Sequence, residues 1–406
     1  MLEHVSRESE VAVARRASDG RSSGSTIDPN DSRPHVLLLS GRFQVRGSCT
    51  YTLRLAKHLP DSGIRPLVVC PNARLVEAKQ RRDLGIREYP YLDLPFYNRL
   101  ILQRVVQDLG DQTPDLIHVQ SRRVLRQGKW LARKLDRPYL LTVHDYLSPQ
   151  ETVLLNDPQC AQVITVSESV KRDLVAKTGV RPEIVTVIPS GVDLTVETRA
   201  EPILDPGHVP IIGTAGPLET VKGLPFFLGA ASRVLQTGRD VEFLVAGAGP
   251  EEANLRRLAR ELGISSKVTF VPYMLNFSES LSAMDVFCLP SLQQGLGTIM
   301  LEAMASGIPV IASRVGGVYG VIHDQHNGLL VPPSNSRQLA DRILELLCDP
   351  LRARHIGENG RHLVQQEFGL HRMVGLTADL YRRIISSASA VANAGNALGS
   401  ICPPTG

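Results

Sequence analysis

Apolar residues along this chain fall into two kinds of pattern that alternate. The first kind is a short continuous run, such as His35 to Ser40, "HVLLLS". A run without polar alternation suits a strand buried on both faces, the condition of strands in a parallel sheet. The second kind repeats apolar positions every three to four residues, as from about Thr50 to Leu59, and predicts a helix with one buried face. Strand-like runs recur at "RPLVVC" (65–70), "DLIHVQ" (115–120), "PYLLTV" (138–143), "QVITV" (162–166) and "EIVTVI" (183–188). The Pro- and Gly-bearing stretch "RAEPILDPGHVP" interrupts the alternation and reads as a linker. A second series follows: "PIIGTA" (210–215), "VEFLVAG" (241–247), "KVTFV" (267–271), "DVFCLP" (285–290), "IPVIAS" (308–313) and "GLLV" (328–331). Helices at about 334–348, 350–366 and 370–386 close the chain.

Strands alternating with helices predict an α/β protein with two doubly wound parallel-sheet domains facing a cleft. The expected organisation is a disordered tail over 1–33, a first domain over 34–195, a linker over 196–209 and a second domain over 210–369. A helix over 370–388 and a flexible tail over 389–406 complete it. Ligands of such sheets bind outside the carboxyl ends of the strands.

With 406 residues, 43% hydrophobic and 21% charged, the chain is a globular protein too long for a single ordinary core. Its net charge of +4 arises between residues 34 and 200, which admits an acidic partner such as an anionic membrane surface. The segment Ser121 to Arg137, "SRRVLRQGKWLARKLDR", offers basic residues with Val124, Leu125, Trp130, Leu131 and Leu135 as a partly apolar face. The other reading of that segment is a core helix with solvated arginines. Nucleic acid is not among the expected partners. The six cysteines are far apart, with no spacing of a zinc knuckle or redox pair, and are expected to be reduced thiols in a cytoplasmic protein. No apolar run approaches the ~20 residues of a membrane span.

Three strand ends in the second series carry candidate chemistry. Lys222 follows a loop and opens a helix, where an ammonium beside free N–H groups suits a diphosphate. Gly247, followed by Ala248, Gly249 and Pro250, ends a strand, either for ligand approach or for a tight turn. The stretch "QQGLGTIMLEAMASGIPVIAS" (293–313) runs a glycine-rich turn into a helix. Backbone N–H groups from Gly295 and Leu296 to Gly297 and Thr298 can meet hydroxyls or phosphate oxygens, and Glu302 can accept two hydrogen bonds from a ribose. Alternatively Glu302 complements the positive helix end, worth about 0.3–1 kcal/mol. Local features leave both readings open.

Taken in order from about His35 to Arg383, "VRGSCTYTLRLAKHL", "DLIHVQ", "LLTVHDY", "VITVSESVKRDL", "VIPSGVDL", "FLVAGAGPEEANLRRLA", "FCLPSLQQGLGTIMLEAMASGIPVIASRVGG" and "HNGLLVPPSN" resemble the retaining, family 4 nucleotide-sugar glycosyltransferases of GT-B fold. The resemblance implies two Rossmann-like domains, a donor site mainly in the second, an acceptor site mainly in the first, and a final helix crossing back. It implies a UDP- or GDP-sugar donor, a glycan or lipid-linked acceptor, and transfer without metal or other cofactor. Peripheral contact with the cytoplasmic membrane face would suit a lipid-linked acceptor.

Position by position, the family's Glu-x7-Glu becomes Gln294 and Glu302. The phosphate-binding lysine is Lys222, but its arginine partner falls on Pro217; the usual Asn of "PNGVD" is Ser190, and a usual Glu falls on Gly320. The paired glycines of the first-domain loop are Arg46 and Gly47, and His144 matches the histidine beside the transferred sugar. A neutral amide at 294 can bond sugar hydroxyls but hardly supports positive charge. The alternatives are therefore an active transferase, a nucleotide-sugar-binding protein without transfer, and a sugar epimerase of the same fold.

Overall fold

In the computed structural model, residues 32–44, 47–95, 98–148, 150–151, 153, 155, 157–194, 202–272 and 278–399 are described. The tail expected over 1–33 lies outside them apart from its last two residues, as do Arg46, residues 195–201 and 400–406.

The first series forms β1 (His35–Leu39), β2 (Arg65–Cys70), β3 (Arg87–Glu88), β4 (Leu116–Val119), β5 (Tyr139–Val143), β6 (Cys160–Thr165) and β7 (Val185–Val187). They lie in the order β3-β2-β1-β4-β5-β6-β7, every pair parallel. The second series forms β8 (Ile211–Ala215), β9 (Glu242–Ala246), β10 (Val268–Val271), β11 (Val286–Leu289), β12 (Val310–Ser313) and β13 (Leu329–Val331). Their order is β10-β9-β8-β11-β12-β13, again all parallel. Each sheet reverses winding direction once, beside its first strand: between β1 and β4, and between β8 and β11. Those two switch points are where such sheets open a crevice for ligand.

Alternate strand residues point to opposite faces. On the first sheet, Leu37, Leu39, Ile117, Val119 and Leu141 meet the helices Asn98–Leu109 and Leu125–Leu135. Val36, Leu38, Leu116, Leu140 and Ile164 face the helix Gly47–His58 and the last helix of the chain. That last helix, Leu370–Gly399, brings Met373, Val374, Leu380, Tyr381 and Ile384 to the first sheet. It runs past residue 388, where the sequence reading ended it. Alanines at 388, 390, 392, 394 and 397 make this stretch a good helix former, so its polarity does not end the helix.

Of the two readings of the segment Ser121–Arg137, a free apolar face is not what the structure presents. Its helix, Leu125–Leu135, buries Leu125 and Leu131 in the core, with Trp130 and Leu135 packed partly against it. Arg133 and Lys129 pair with Asp157, and Arg122 with Glu151. The core-helix reading is the one the structure supports, because an apolar face can be buried only once. Among the described residues no helix is long and apolar enough to cross a membrane.

The described residues from Pro34 onward form a single compact unit. The chain passes between the sheets at a two-stranded crossing: Val192 N–H donates to the Phe368 carbonyl at 2.9 Å, and Leu370 N–H to the Val192 carbonyl at 3.0 Å.

Candidate nucleotide-sugar site

At the switch point of the second sheet, Thr214, Gly216, Pro217, Lys222, Pro290 and Ser291 line a small hollow. Its free volume of about 10 Å³ is room for about one water. Lys222 Nζ donates to Gln294 Oε1 at 3.1 Å, and Ser291 Oγ donates to the same oxygen at 3.1 Å. Both lone pairs of that amide oxygen are thereby used. Gln294 itself is buried.

After Gln294 the chain passes over the first domain's strand ends. A Cβ at Gly295 would run into the His144 carbonyl oxygen, so only glycine allows this approach. The Gly295 carbonyl in turn accepts from Ser167 Oγ at 2.6 Å. Leu296 points into the core. Gly297, at φ 95°, turns the chain into the helix Thr298–Ala305. The first N–H groups of that helix have no partners within it, as at every helix start. Gly47 lies opposite Thr298, whose hydroxyl would stand 3.2 Å from a Cβ there.

One turn into the helix, Glu302 Oε1 accepts from Arg54 Nη2 at 2.7 Å. Arg54 belongs to the helix Gly47–His58 of the first domain. The sequence reading assigned it no role. The available sign was spacing: Arg54 follows Gly47 by two helical turns and so shares its face. Ser167 and Ser291 were missed for a different reason. A serine near a strand end is too common to single out, and its partner is visible only in three dimensions.

His144 follows β5 and packs edge-on against Tyr51, with ring centroids 5.0 Å apart and planes at 74°. Its Nε2 is buried without a hydrogen-bond partner, so the hydrogen bond to the Gln120 carbonyl is left to Nδ1. Burial, reinforced by the Arg122 charge and opposed by that hydrogen bond, lowers its pKa to about 4. His144 is therefore neutral at ordinary pH, with an Nε2 lone pair able to accept a proton or hydrogen bond. Behind it, His118 Nε2 lies 2.6 Å from Thr142 Oγ1 and Nδ1 lies 2.5 Å from the Tyr381 hydroxyl. Burial, with repulsion from His144 adding to it wherever that ring is protonated, holds His118 well below the usual histidine range.

Other expected positions have plainer surroundings. Gly247 sits at φ 151°, and a Cβ there would strike the Gly216 carbonyl oxygen, so close packing of two loops requires the glycine without any ligand. Ser190 is buried, and Gly320 has open space where a side chain would stand. Among the described residues no three His, Cys, Asp or Glu side chains gather as metal ligands. A larger hollow of about 500 Å³ opens beside His208, Pro210, Arg239 and Arg354, at the amino ends of β8 and β9. It holds none of the expected donor residues. Arg354 is bonded to the Ile203 carbonyl and Arg239 to the Cys348 sulfur, so the switch point remains the candidate site.

Comparison with known proteins shows the family and the fold. The "Glycosyltransferase Family 4" model matches residues 45–196 and the "Glycosyl transferases group 1" model residues 197–363. The D-inositol 3-phosphate glycosyltransferase of Nocardia farcinica is 35% identical over 342 residues, 76% of this chain and 74% of that protein. The 2-deoxystreptamine glucosyltransferase of Streptomyces kanamyceticus is 29% identical over 293 residues, 64% of this chain and 74% of that protein. Among solved structures, Anabaena HepE in complex with UDP-glucose superposes with a TM-score of 0.75 at 20% identity, covering 86% of this chain and 99% of that one. WaaG, a glycosyltransferase involved in lipopolysaccharide biosynthesis, gives 0.68 at 16% identity, covering 85% and 99%. At such identities the structures speak for the two-domain GT-B fold.

Proposed function

Since this chain belongs to the group 1, family 4 glycosyltransferases, we propose that it is a retaining enzyme that moves a hexosyl group from a UDP- or GDP-sugar to a hydroxyl of a glycan or lipid-linked acceptor. The observation that carries the reading is the Lys222, Gln294 and Ser291 cluster over the switch point of the second sheet. The diphosphate takes the place beside Lys222 and the N–H groups that open the helix Thr298–Ala305. Glu302 holds the ribose. Gln294 and the Gly295–Thr298 backbone hold sugar hydroxyls, and His144 faces the sugar from the first domain.

In the reaction the bond from the anomeric carbon to the phosphate oxygen breaks and a bond to the acceptor oxygen forms on the same face. The acceptor proton passes to the departing phosphate. Lys222 neutralises the leaving charge, so no metal is required in this scheme.

Of the departures from the family pattern, the two beside Lys222 cancel in charge: Pro217 removes a cation and Gln294 removes an anion. With an amide rather than a carboxylate 3.1 Å away, Lys222 keeps its whole charge for the diphosphate. The cluster therefore fits an active donor site. The neutral Gln294 also favours a second reading, donor binding without transfer. A cytoplasmic location fits the thiols Cys70, Cys160, Cys288 and Cys348, none of them in a disulfide.

The test is thermal shift with UDP, GDP and their sugars, followed by turnover of whichever sugar binds. Ligand at about 100 times its Kd adds about 2.7 kcal/mol of stability. No shift with any of them refutes the site; a shift without hydrolysis or transfer selects the second reading.

A further inference from the structure

Arg54 has no part in the scheme so far, yet it is the protein partner of the carboxylate on which ribose binding depends. Its Nη2 donates to Glu302 Oε1 at 2.7 Å while its Nη1 donates to the Gly191 carbonyl at 3.1 Å. The two side chains are 18% and 20% exposed, so the pair is largely shielded from water. Its anchor is fixed. A Cβ at Gly191 would stand 2.7 Å from Leu370 Cα, and the next residue, Val192, is bonded in both directions across the two-stranded crossing.

A guanidinium is a flat fork of donors. With one prong on a fixed carbonyl, the plane of the fork and the place of the other prong are set, and so is the carboxylate oxygen it meets. Among the described residues Glu302 Oε2 takes no hydrogen bond. We propose that Arg54 is a positioning residue for the nucleotide: held by Gly191, it fixes Glu302 through Oε1 and leaves Oε2 to the ribose hydroxyls. The inference rests on the reading of Glu302 as the ribose ligand. It also makes the nucleotide site of the second domain depend on a side chain of the first.

The opposite role, a plug that ribose must displace, has less in its favour. Removing Arg54 would break two hydrogen bonds, whereas a hydroxyl can join Oε2 with both intact, because an ionised carboxylate has about four acceptor positions.

The experiment is calorimetric titration of the full chain with UDP, GDP and the 2′-deoxy form of whichever binds. It is repeated with Arg54→Met, Glu302→Gln and the double variant. Arg54→Met is expected to weaken ribonucleotide binding about tenfold, to weaken the 2′-deoxy nucleotide much less, and to have no further effect in the Glu302→Gln background. A structural role alone would not change the preference for ribose over deoxyribose. Equal or tighter binding by Arg54→Met overturns the proposal, as does the same loss in both backgrounds for both sugars.

If Arg54→Met does not fold, Arg54→Lys serves. It keeps the charge but cannot reach both partners with one flat group, and about a threefold loss with the same dependence on the 2′-hydroxyl is expected. Absence of that dependence overturns the proposal. Wild-type protein that binds neither nucleotide refutes the site reading and this inference together; nucleotide binding indifferent to Arg54 refutes the inference alone.

Discussion

Gln294 and Lys222 show how much one atom decides. A carboxylate at 294 would stand about where the amide oxygen now accepts from Lys222 and Ser291, and would pair with the ammonium. Gln294→Glu is therefore expected to weaken nucleoside diphosphate binding by about 1 kcal/mol, roughly fivefold, read as a higher Kd. Lys222→Ala should cost about 1.5–3 kcal/mol of the same binding energy, the range for a hydrogen bond to a charged group. Unchanged affinity in Lys222→Ala would move the diphosphate elsewhere. The buried histidines give a pH dependence of stability. Burial is the main cause that brings His35 and His144 from 6.5 to about 4, and His118 is also lowered. Between pH 4 and 6.5 the unfolded chain then binds more protons than the folded one. Stability should be full above pH 6.5 and fall as the pH drops towards 4, by roughly 3 kcal/mol for His144. A melting temperature flat from pH 7 to 4.5 would contradict this. At this scale Glu302, Lys222 and Gln294 were visible in the sequence because motif spacing marks them. Arg54 was not, since its meaning lies in a partner 248 positions away.

At the scale of elements, strands were legible because burial on both faces leaves continuous apolar runs that solvent-facing segments do not have. β7 came out shorter than its run because Pro182–Ile184 forms a single tight helical turn first. β3 was missed: two residues, Arg87 and Glu88, hold an edge by backbone pairing and carry no apolar pattern. The helix Leu125–Leu135 shows the limit of reading faces, since an apolar stripe looks the same whether core or membrane covers it. Gly247 poses a similar choice between turn and ligand contact. Its φ of 151° and its contact with Gly216 lead us to expect that Gly247→Ala destabilises the chain by about 1–3 kcal/mol, seen as a lower melting temperature without ligand. A variant as stable as wild type but weaker in nucleotide binding would restore the ligand reading.

For the whole molecule, the two sheets were legible and their mutual contact was not. Ser167 on Gly295, Arg54 on Glu302 and the Gly295 approach to His144 close the space over the second sheet's switch point. The hollow of about 10 Å³ beside Lys222 is lined by second-domain residues alone; what these cross-domain contacts set is how closely the two domains approach. Small-angle scattering should then show a larger radius of gyration for Ser167→Ala without ligand than for the wild type, because one of the hydrogen bonds that hold the closed form is lost. Identical scattering curves would mean that this bond does not contribute to closure.

The last helix also sets an order of events during synthesis. Val36, Leu38 and Leu140 are covered by Met373, Val374 and Tyr381, which the ribosome makes long afterwards. At about 5–20 residues per second, the first sheet waits roughly ten to forty seconds with one face covered only in part, by the helix Gly47–His58. Nascent chains of this protein should therefore recruit chaperones until the final helix emerges. A chain ending at Gly369 should aggregate even though both sheets are complete in it, and adding residues 370–399 as a separate peptide during refolding should recover soluble protein. Solubility of the shortened chain on its own would show that the helix is not needed to cover that face.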